Sequence, residues 1–368
     1  MNKKLLAGLY FFSRVYSLLL MYTATLYIPY LGFMAHPTDL STFNLPRFIS
    51  ALGNFDGIHY LRIALRGYEQ FTPAFFPLYP ILIRIISYLT LGNSLVAGIV
   101  ISNVAFFLAI FIFKDYINEV YKDSEVTKWS LIYLILFPSS FFLMSVYTES
   151  TFILLLISSL YFLVKKKYFW AGIAGYLLGL TRVNGVFLAI PLFLSLFWFD
   201  PQFKKHIISF PKRLLVFLAP CLGLATYMGY LWKVRHDPLY FFHVQEAFNT
   251  GRSNHIIFFP QVIYRYFRIF CTARHTFQYY IALLELSITF IVLTLILYDI
   301  YKRIKQKKKG AYYPLQLGLS LFSLASIHLS TFTGTLIGIP RYSLLCLGFF
   351  IALPTYIKST RMKIFILN

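Results

Sequence analysis

Long apolar runs separated by short basic clusters recur along most of the 368 residues. Several of these runs are long enough to cross a bilayer core of about 30 Å. The first, MNKKLLAGLYFFSRVYSLLLMYTATLYIPYLGF, starts with basic residues, but it is too long and too aromatic for a cleaved signal peptide, so we interpret it as a retained helix. The pattern predicts an all-α polytopic membrane protein with a single membrane-embedded domain, residues 1–368.

The lysines predict the orientation, because lysine clusters beside helix ends stay on the cytoplasmic side of a membrane. Lysines at 3–4, 165–167 and 302–309 mark that side. Residues 129–164 are apolar over a length of roughly 54 Å as helix, nearly twice a membrane, so they must turn, at VYTES. We therefore expect about ten transmembrane helices with both termini in the cytoplasm.

The orientation requires an odd number of crossings between Lys4 and Lys114, although three apolar stretches lie there. The stretch 74–91 contains two prolines and Arg84, which favours an amphipathic helix at the external interface over a crossing. This assignment predicts a first external loop at 34–92 and a second at 235–275. The segment KDYINEVYKDSEVTK is predicted as a cytoplasmic loop, and two short helices are expected to meet at TRVNG. The last three helices are predicted at 277–300, 313–333 and 341–357.

Composition narrows the function classes. The chain is 58 % hydrophobic and 13 % charged, and its net charge is +21. The basic residues lie between apolar runs, as the positive-inside rule predicts, so nucleic acid is not expected as a partner. The three cysteines are widely spaced without a CxxC motif and are interpreted as packing residues.

Arginine and lysine are distributed differently. In the predicted topology 18 of the 19 lysines are cytoplasmic, whereas 11 of the 15 arginines are external. Guanidinium contacts phosphate in a bidentate manner and is more weakly hydrated than ammonium, which suits a phosphate site near lipid. The alternative is that these arginines bind lipid headgroups or pair with carboxylates.

The stretch NFDGIHYLRIALRGYEQ in the first external loop has the strongest chemical pattern. If it is helical, His59, Arg62 and Arg66 share one face, with Asp56 nearby. Asp56 between Phe55 and Gly57 is a candidate general base at the membrane surface, with helix capping as its alternative role.

Other candidate residues lie in short motifs along the chain. A charged Glu149 between two apolar helices is energetically unfavourable unless it is solvated, paired with a cation or part of a functional site. Capping of a helix by VYTES is the alternative role. Arg182 in LTRVNG and Arg341 in GIPRYS could hold a phosphate. Histidines 236 and 243 could bind a metal but are more often hydrogen-bonding residues. The remaining candidate substrate-binding residues are Asn184, Asp237 and His243.

Taken in order, NFDGIHYLRIALRGY, AFFPLYPILIR, PSSFFLMSVYTES, GLTRVNG, DPLYFFHVQ and IPRY resemble the PIG-V family, the second mannosyltransferases of glycosylphosphatidylinositol assembly and their prokaryotic relatives. The resemblance implies a GT-C glycosyltransferase fold with amphipathic helices in the first external loop. It implies a polyprenyl-phosphate sugar donor, a lipid-linked or glycolipid acceptor, and an external active site with Asp56 as its essential aspartate. It also implies the plasma membrane for a prokaryotic protein and the endoplasmic reticulum for a eukaryotic one.

On this resemblance we expect inverting transfer, with Asp56 as base and Arg182 and Arg341 stabilising the leaving phosphate. Since arginines can neutralise a monophosphate, no metal cofactor is expected, although Asp56 with Glu149 could hold one. A transporter or flippase of a lipid-linked sugar is the alternative function, and a non-catalytic scaffold is a third. A transporter would require ionisable groups near the membrane midplane, whereas the polar residues here concentrate on one face. Transporters also usually contain internal repeats, and none is visible in this sequence.

Overall fold

The protein is all-helical in the part of the chain that its computed structural model describes, residues 1–28, 40–198, 210–245, 255, 257–306, 310–332 and 334–366. No strand occurs among these residues, which confirms the predicted all-α class. The N-terminal helices are α1 Lys3–Tyr27, α2 Arg47–Ser50, α3 Asp56–Arg66, α4 Leu78–Ser87, α5 Ser94–Tyr121, α6 Ser124–Leu136, α7 Glu149–Val164, α8 Tyr168–Gly179 and α9 Ala189–Phe193. The C-terminal helices are α10 Phe210–Arg235, α11 Tyr240–His243, α12 Phe259–Thr272, α13 Phe277–Ile304, α14 Tyr313–Thr331, α15 Ile339–Tyr342, α16 Leu347–Tyr356 and α17 Thr360–Phe365.

Four helices of the described chain are long and apolar enough to cross a membrane, namely α1, α5, α10 from Pro211, and α13. A fifth crossing is possible at 339–356, where two helical pieces meet at a bend of 81°. The predicted continuous helix 341–357 is therefore broken. The membrane class is confirmed, whereas the count of ten crossings stays a prediction.

The predicted cytoplasmic loop KDYINEVYKDSEVTK is largely helical, which corrects that expectation. Helix α5 continues through its charged residues to Tyr121, and α6 begins at Ser124. The turn between them needs only two residues, because Lys122 adopts a left-handed conformation and the Asp123 carboxylate caps α6. Sequence composition suggested a loop, but the helix simply extends beyond the apolar core.

The long apolar stretch 129–164 does turn, but the turn begins earlier than expected. Helix α6 ends at Leu136, immediately before Phe137 and Pro138, and α7 begins only at Glu149. The residues between them contain a short 3-10 turn at Ser140–Leu143. Proline disfavours helix at the residue before it, which accounts for the early end. VYTES is thus the last part of a longer break.

The expected interruption at TRVNG is present. Helix α8 ends at Gly179, and a 3-10 turn at Val183–Leu188 follows. A Cβ at Gly179 would lie 2.1 Å from the Pro220 carbonyl oxygen, so glycine is needed for α8 to approach α10 this closely. This contact fixes the end of α8 and therefore the position of Arg182.

The first-loop helices α3 and α4 pack on the start of α5. Their core contains Ile58, Leu61, Tyr79 and Ile83, which contact Leu95 and Val146 in a small hydrophobic cluster. The Tyr79 hydroxyl donates to the Gly98 carbonyl at 2.9 Å. Helix α4 has ten residues, about 15 Å, which is too short to cross a membrane alone. The cluster holds α3, with Asp56 at its first residue, against the break before α7.

Candidate active site

Four charged side chains from distant parts of the chain meet at one place. Arg341 Nη1 donates to Asp56 Oδ2 at 2.5 Å, and Arg341 Nε lies 3.1 Å from Glu149 Oε1. Arg182 Nη1 donates to the same Glu149 oxygen at 2.5 Å. Two carboxylates and two guanidinium groups therefore form one connected, charge-balanced cluster, which we call the Asp56 cluster.

Local backbone geometry directs Asp56 into this cluster. Phe55, the residue before it, has φ of 53°, a conformation that is uncommon for a non-glycine residue. The Tyr147 hydroxyl donates to the Asn54 carbonyl at 3.0 Å, which supports this turn. A Cβ at residue 57 would lie 3.2 Å from the Val146 carbonyl oxygen, so Gly57 allows α3 to start against the 137–148 break. The sequence FDG is thus the sharp entry to helix α3.

Glu149 is the first residue of α7, and it is fully buried. A buried carboxylate is unfavourable unless it is paired, and here two arginines share one of its oxygens. Its other oxygen, Oε2, has no hydrogen-bond partner among the described residues. Glu149 therefore acts as the common counter-ion that holds Arg182 and Arg341 side by side.

Aromatic rings surround the two guanidinium groups. Arg341 lies over the rings of Tyr147 and Tyr342 at 5.2 Å and 4.8 Å from their centroids, and Arg182 lies 5.1 Å from that of Tyr342. Such contacts stabilise a partly desolvated guanidinium. They also limit the directions from which an anion could approach either arginine.

The two carboxylates of the Asp56 cluster differ in accessibility. The Asp56 side chain is 35 % exposed, whereas that of Glu149 is 0 % exposed. A substrate that reached the cluster would therefore meet Asp56 and not Glu149. This difference separates a carboxylate available for chemistry from one that serves the structure.

Glu285 supports the Asp56 cluster from within helix α13. Its carboxylate accepts from the Tyr266 hydroxyl at 2.9 Å and from the Gly338 amide at 3.3 Å. The same hydroxyl accepts from the Leu336 amide at 3.0 Å. Gly338 has φ of 84° and precedes α15, the short helix that carries Arg341. The Glu285 and Tyr266 pair thus fixes the loop that positions Arg341.

We expect Tyr266→Phe to destabilise the protein by about 2 kcal/mol, because it removes one donor from buried Glu285 and one acceptor from Leu336. Thermal unfolding of the detergent-solubilised protein measures the change. Tyr264→Phe on the same helix is the matched control, since Tyr264 is 67 % exposed. Equal melting temperatures for the two variants would contradict the supporting role.

The three basic candidates of α3 lie at increasing distance from Asp56. His59 is one turn along the helix, and its ring stacks on Phe75 with centroids 4.8 Å apart. Arg62 is half-buried and lies about 9 Å along the helix axis from Asp56, whereas exposed Arg66 lies about 15 Å away. The helix is as expected, and His59 and Arg62 border the Asp56 cluster more closely than Arg66.

Three further candidates make other contacts. Asp237 Oδ2 lies 2.7 Å from His243 Nδ1, and the two form an exposed pair beside α11. Burial acts to raise the pKa of Asp237, but hydrogen bonds from His243 and the Leu239 amide outweigh it and hold the pKa below its usual range. Asn184 donates to the Ser326 carbonyl at 3.2 Å, which ties the 3-10 turn to α14. In the described part of the chain none of the three contacts the Asp56 cluster, and their substrate-binding roles stay predictions.

Sequence reasoning missed the aromatic residues of the site. Tyr147 belongs to the motif VYTES that contains Glu149, and Tyr342 directly follows Arg341 in IPRY. The ring centroid of Phe142 lies 5.6 Å from the Arg341 guanidinium. The motifs VYTES and IPRY therefore contained the missing signal. Asp39 and Glu246, carboxylates in the two predicted external loops, lie outside the described residues.

The described residues contain no group of three or more His, Cys, Asp or Glu side chains that could hold a metal ion. The two carboxylates of the Asp56 cluster are instead bridged by Arg341. The expectation that the protein uses no metal cofactor stays a prediction.

The fold and the site together define a helical membrane protein with a charged, aromatic-lined site formed by segments distant in sequence. The family model described as Mannosyltransferase (PIG-V) matches residues 10–188, just under half of the chain. These residues are similar to that family, in agreement with the resemblance of the motifs that lie among them. Asp56, Glu149 and Arg182 lie within the match, whereas Asp237 and Arg341 lie beyond it.

Among solved structures, an oligosaccharyltransferase of Archaeoglobus fulgidus, crystallised in complex with Zn and sulfate, is similar with 14 % identity and a TM-score of 0.43. The similarity covers 84 % of this chain and 45 % of that chain, so this chain spans less than half the length of that protein. No curated protein matches the sequence significantly.

Proposed function

We propose that this protein is a GT-C glycosyltransferase that moves a sugar, mannose, from a polyprenyl-phosphate donor to a lipid-linked or glycolipid acceptor at the external membrane face. The similarity of residues 10–188 to the mannosyltransferase (PIG-V) family supports the sugar-transfer chemistry. The membrane helices support lipid-linked substrates, since donor and acceptor would both lie in the bilayer.

The observation that carries the proposal is the partly exposed Asp56 carboxylate beside two guanidinium groups. Transfer from a sugar phosphate requires a group that accepts the proton of the acceptor hydroxyl and cations that stabilise the leaving phosphate. Both requirements are met within one cluster, and Asp56 is the carboxylate that a substrate can reach.

The proposed step is a single displacement with inversion. The acceptor oxygen attacks the anomeric carbon, the bond from that carbon to the phosphate oxygen breaks, and its electron pair leaves with the polyprenyl phosphate. The hydroxyl proton passes to Asp56. A carboxylate is a weak base, but the hydroxyl becomes acidic as its oxygen bonds to carbon, so a weak base in position is sufficient.

The arginines are assigned to the phosphate. Arg182 and Arg341 are held side by side by buried Glu149, which orients them before a substrate arrives. The arriving phosphate adds negative charge to a cluster that is neutral without it. Because guanidinium groups supply this stabilisation, we propose that transfer is independent of a divalent metal.

The proposal is tested by incubating purified protein with radiolabelled polyprenyl-phosphate mannose and a membrane lipid extract, with and without EDTA. Label is expected to appear in a glycolipid under both conditions. Movement of the labelled donor across vesicle membranes without transfer would favour a flippase instead. Transfer that stops in EDTA and returns with a divalent cation would contradict metal independence alone.

Glu149→Gln should separate the two carboxylate roles. We expect it to lower the free energy of unfolding by about 3 kcal/mol, because two largely buried guanidinium groups lose the buried carboxylate that they share. Denaturation in detergent measures the loss. Glu69→Gln, in an exposed part of the first loop, is the control and should have no effect. An unchanged stability of Glu149→Gln would contradict the counter-ion role.

A cysteine at position 70 tests the predicted topology. In a background with Cys221 and Cys271 changed to serine and Cys346 to alanine, Gln70→Cys should react with a membrane-impermeant maleimide from outside intact cells. Lys167→Cys should react only after permeabilisation, since the lysine cluster predicts a cytoplasmic position. The reverse pattern would invert the orientation and move the active site to the other face.

A further inference from the structure

A second polar site lies at the far end of helix α13. A cavity of about 590 Å³ opens there between the ends of α5, α13, α14 and α16. Three basic and no acidic side chains are among the described residues that line it. Its principal lining residues are Lys302, Arg303, Lys305, Gln316, Tyr121 and Tyr356. This basic cavity is not explained by the transfer chemistry.

Arg303 is held rigidly at the wall of the basic cavity. It is 7 % exposed, and its Nε donates to Asp299 Oδ2 at 2.6 Å. Its Nη1 donates to Gln316 Oε1 at 2.9 Å. These bonds use Nε and Nη1, and Nη2 has no hydrogen-bond acceptor among the described residues. A buried guanidinium oriented in this way is prepared for an anion.

The carboxylate that balances Arg303 is already saturated with hydrogen bonds. Asp299 is 1 % exposed and also accepts from the Ser320 hydroxyl at 2.5 Å and the Tyr356 hydroxyl at 2.8 Å. Asp299 therefore serves the wall of the cavity and does not offset the two lysines in front of it. With Lys302, Lys305 and Arg303 against one aspartate, the local charge is positive.

The basic cavity is separate from the Asp56 cluster. Arg303 follows Glu285 by 18 residues on the same helix, which corresponds to about 27 Å along its axis. That distance is close to the thickness of a bilayer core, so the two sites lie near opposite membrane faces. The lysines around the cavity predict the cytoplasmic face, where basic pockets between membrane helices bind phosphate headgroups.

We propose that the basic cavity binds a phosphate group, carried either by an anionic phospholipid or by a free phosphate in the cytoplasm. Arg303 would contact the phosphate with its Nη2 edge, while Lys302 and Lys305 supply charge. The tyrosine rings of the lining suit the headgroup region of a membrane. This site does not depend on the proposed sugar transfer.

Native mass spectrometry of the full-length protein in detergent tests the proposal. One arm adds phosphatidylglycerol with phosphatidylcholine as the neutral reference, and the other adds inorganic phosphate. The double variant Lys302→Gln/Lys305→Gln is compared with Lys3→Gln/Lys4→Gln, which loses the same charge from exposed positions outside the cavity. Arg303→Lys keeps the ion pair with Asp299 but loses the planar guanidinium edge.

We expect the cavity double variant and Arg303→Lys to bind the phosphate-bearing probe about tenfold more weakly than the wild type, with the control pair unchanged. Retention of phosphatidylglycerol alone would identify a lipid headgroup, and retention of inorganic phosphate alone would identify a free phosphate. Equal weakening by the cavity and control variants would overturn the proposal. So would an absence of inorganic phosphate binding together with no preference for phosphatidylglycerol over phosphatidylcholine, whose phosphate charge is balanced by its choline.

Discussion

Asp56→Asn is expected to lower the rate of sugar transfer by about a thousandfold, with little change in the amount of folded protein. Asparagine has nearly the same shape as aspartate, but it cannot accept the proton of the acceptor hydroxyl. Because Asp56 is 35 % exposed and Glu149 remains as a counter-ion for Arg341, losing the Asp56 charge should cost less folding free energy than Glu149→Gln does. The change is therefore directed at the chemistry.

Asp237→Asn is the matched control for this variant. Asp237 is also an aspartate of a predicted external loop, but it pairs with His243 and makes no contact with the Asp56 cluster in the described structure. Initial rates of label transfer, with protein amounts equalised by size-exclusion chromatography, give the comparison. If Asp237→Asn lowered the transfer rate as much as Asp56→Asn, the assignment of Asp56 as the proton acceptor would be contradicted.

Arg341→Lys is expected to have the second largest effect, a loss of about a hundredfold in transfer rate. The guanidinium of Arg341 contacts two carboxylates at once, Asp56 through Nη1 and Glu149 through Nε. The single ammonium group of lysine cannot reproduce this geometry, although the charge is kept. We also expect weaker donor binding, since the arginine is assigned to the phosphate.

Arg268→Lys provides the control for an arginine change, because Arg268 is exposed on α12. Transfer rates at several donor concentrations separate the two contributions of Arg341, to donor binding and to the chemical step. Wild-type rates for Arg341→Lys at saturating donor would show that charge alone is enough, and the proposed dependence on the guanidinium geometry would then be wrong.

The sequence was sufficient to predict the helical membrane class and several residues that the structure brings together. Charged residues between apolar segments are energetically unfavourable, so their presence indicates a functional or structural role. On this ground the sequence selected Asp56, Glu149, Arg182 and Arg341 as candidates. The helix Asp56–Arg66 was the condition on which its basic residues were grouped, and the structure contains that helix. The local sequence pattern was therefore sufficient to select individual candidate residues.

The pairing of these residues could not be predicted. Asp56 and Arg341 are 285 positions apart, and no local rule selects one external arginine over another. The full burial of Glu149 and its two ion pairs depend on how α7 packs, so the sequence could not choose between capping, pairing and substrate binding for this residue. Asp237 and His243 show the reverse case, because similar residues formed a separate pair.

Several helix boundaries could also not be predicted from the sequence. The charged end of α5 was predicted as a loop because charge is read as solvent exposure, yet a helix can extend past the membrane. The bend of 81° between Ile339–Leu345 and Leu347–Tyr356 lies at Cys346, where no proline marks it in the sequence. Arg341 belongs to the first of these two pieces, so the sequence did not predict the helix boundary next to this residue.

The central claim is that Asp56 accepts the proton during transfer, and single-turnover kinetics test it most directly. Wild type and Asp56→Asn are each saturated with labelled polyprenyl-phosphate mannose and then mixed with saturating acceptor, so that differences in binding do not contribute. We predict that both proteins bind the donor with similar affinity and that the transfer step is about a thousandfold slower in Asp56→Asn. Equal single-turnover rates would contradict the assignment.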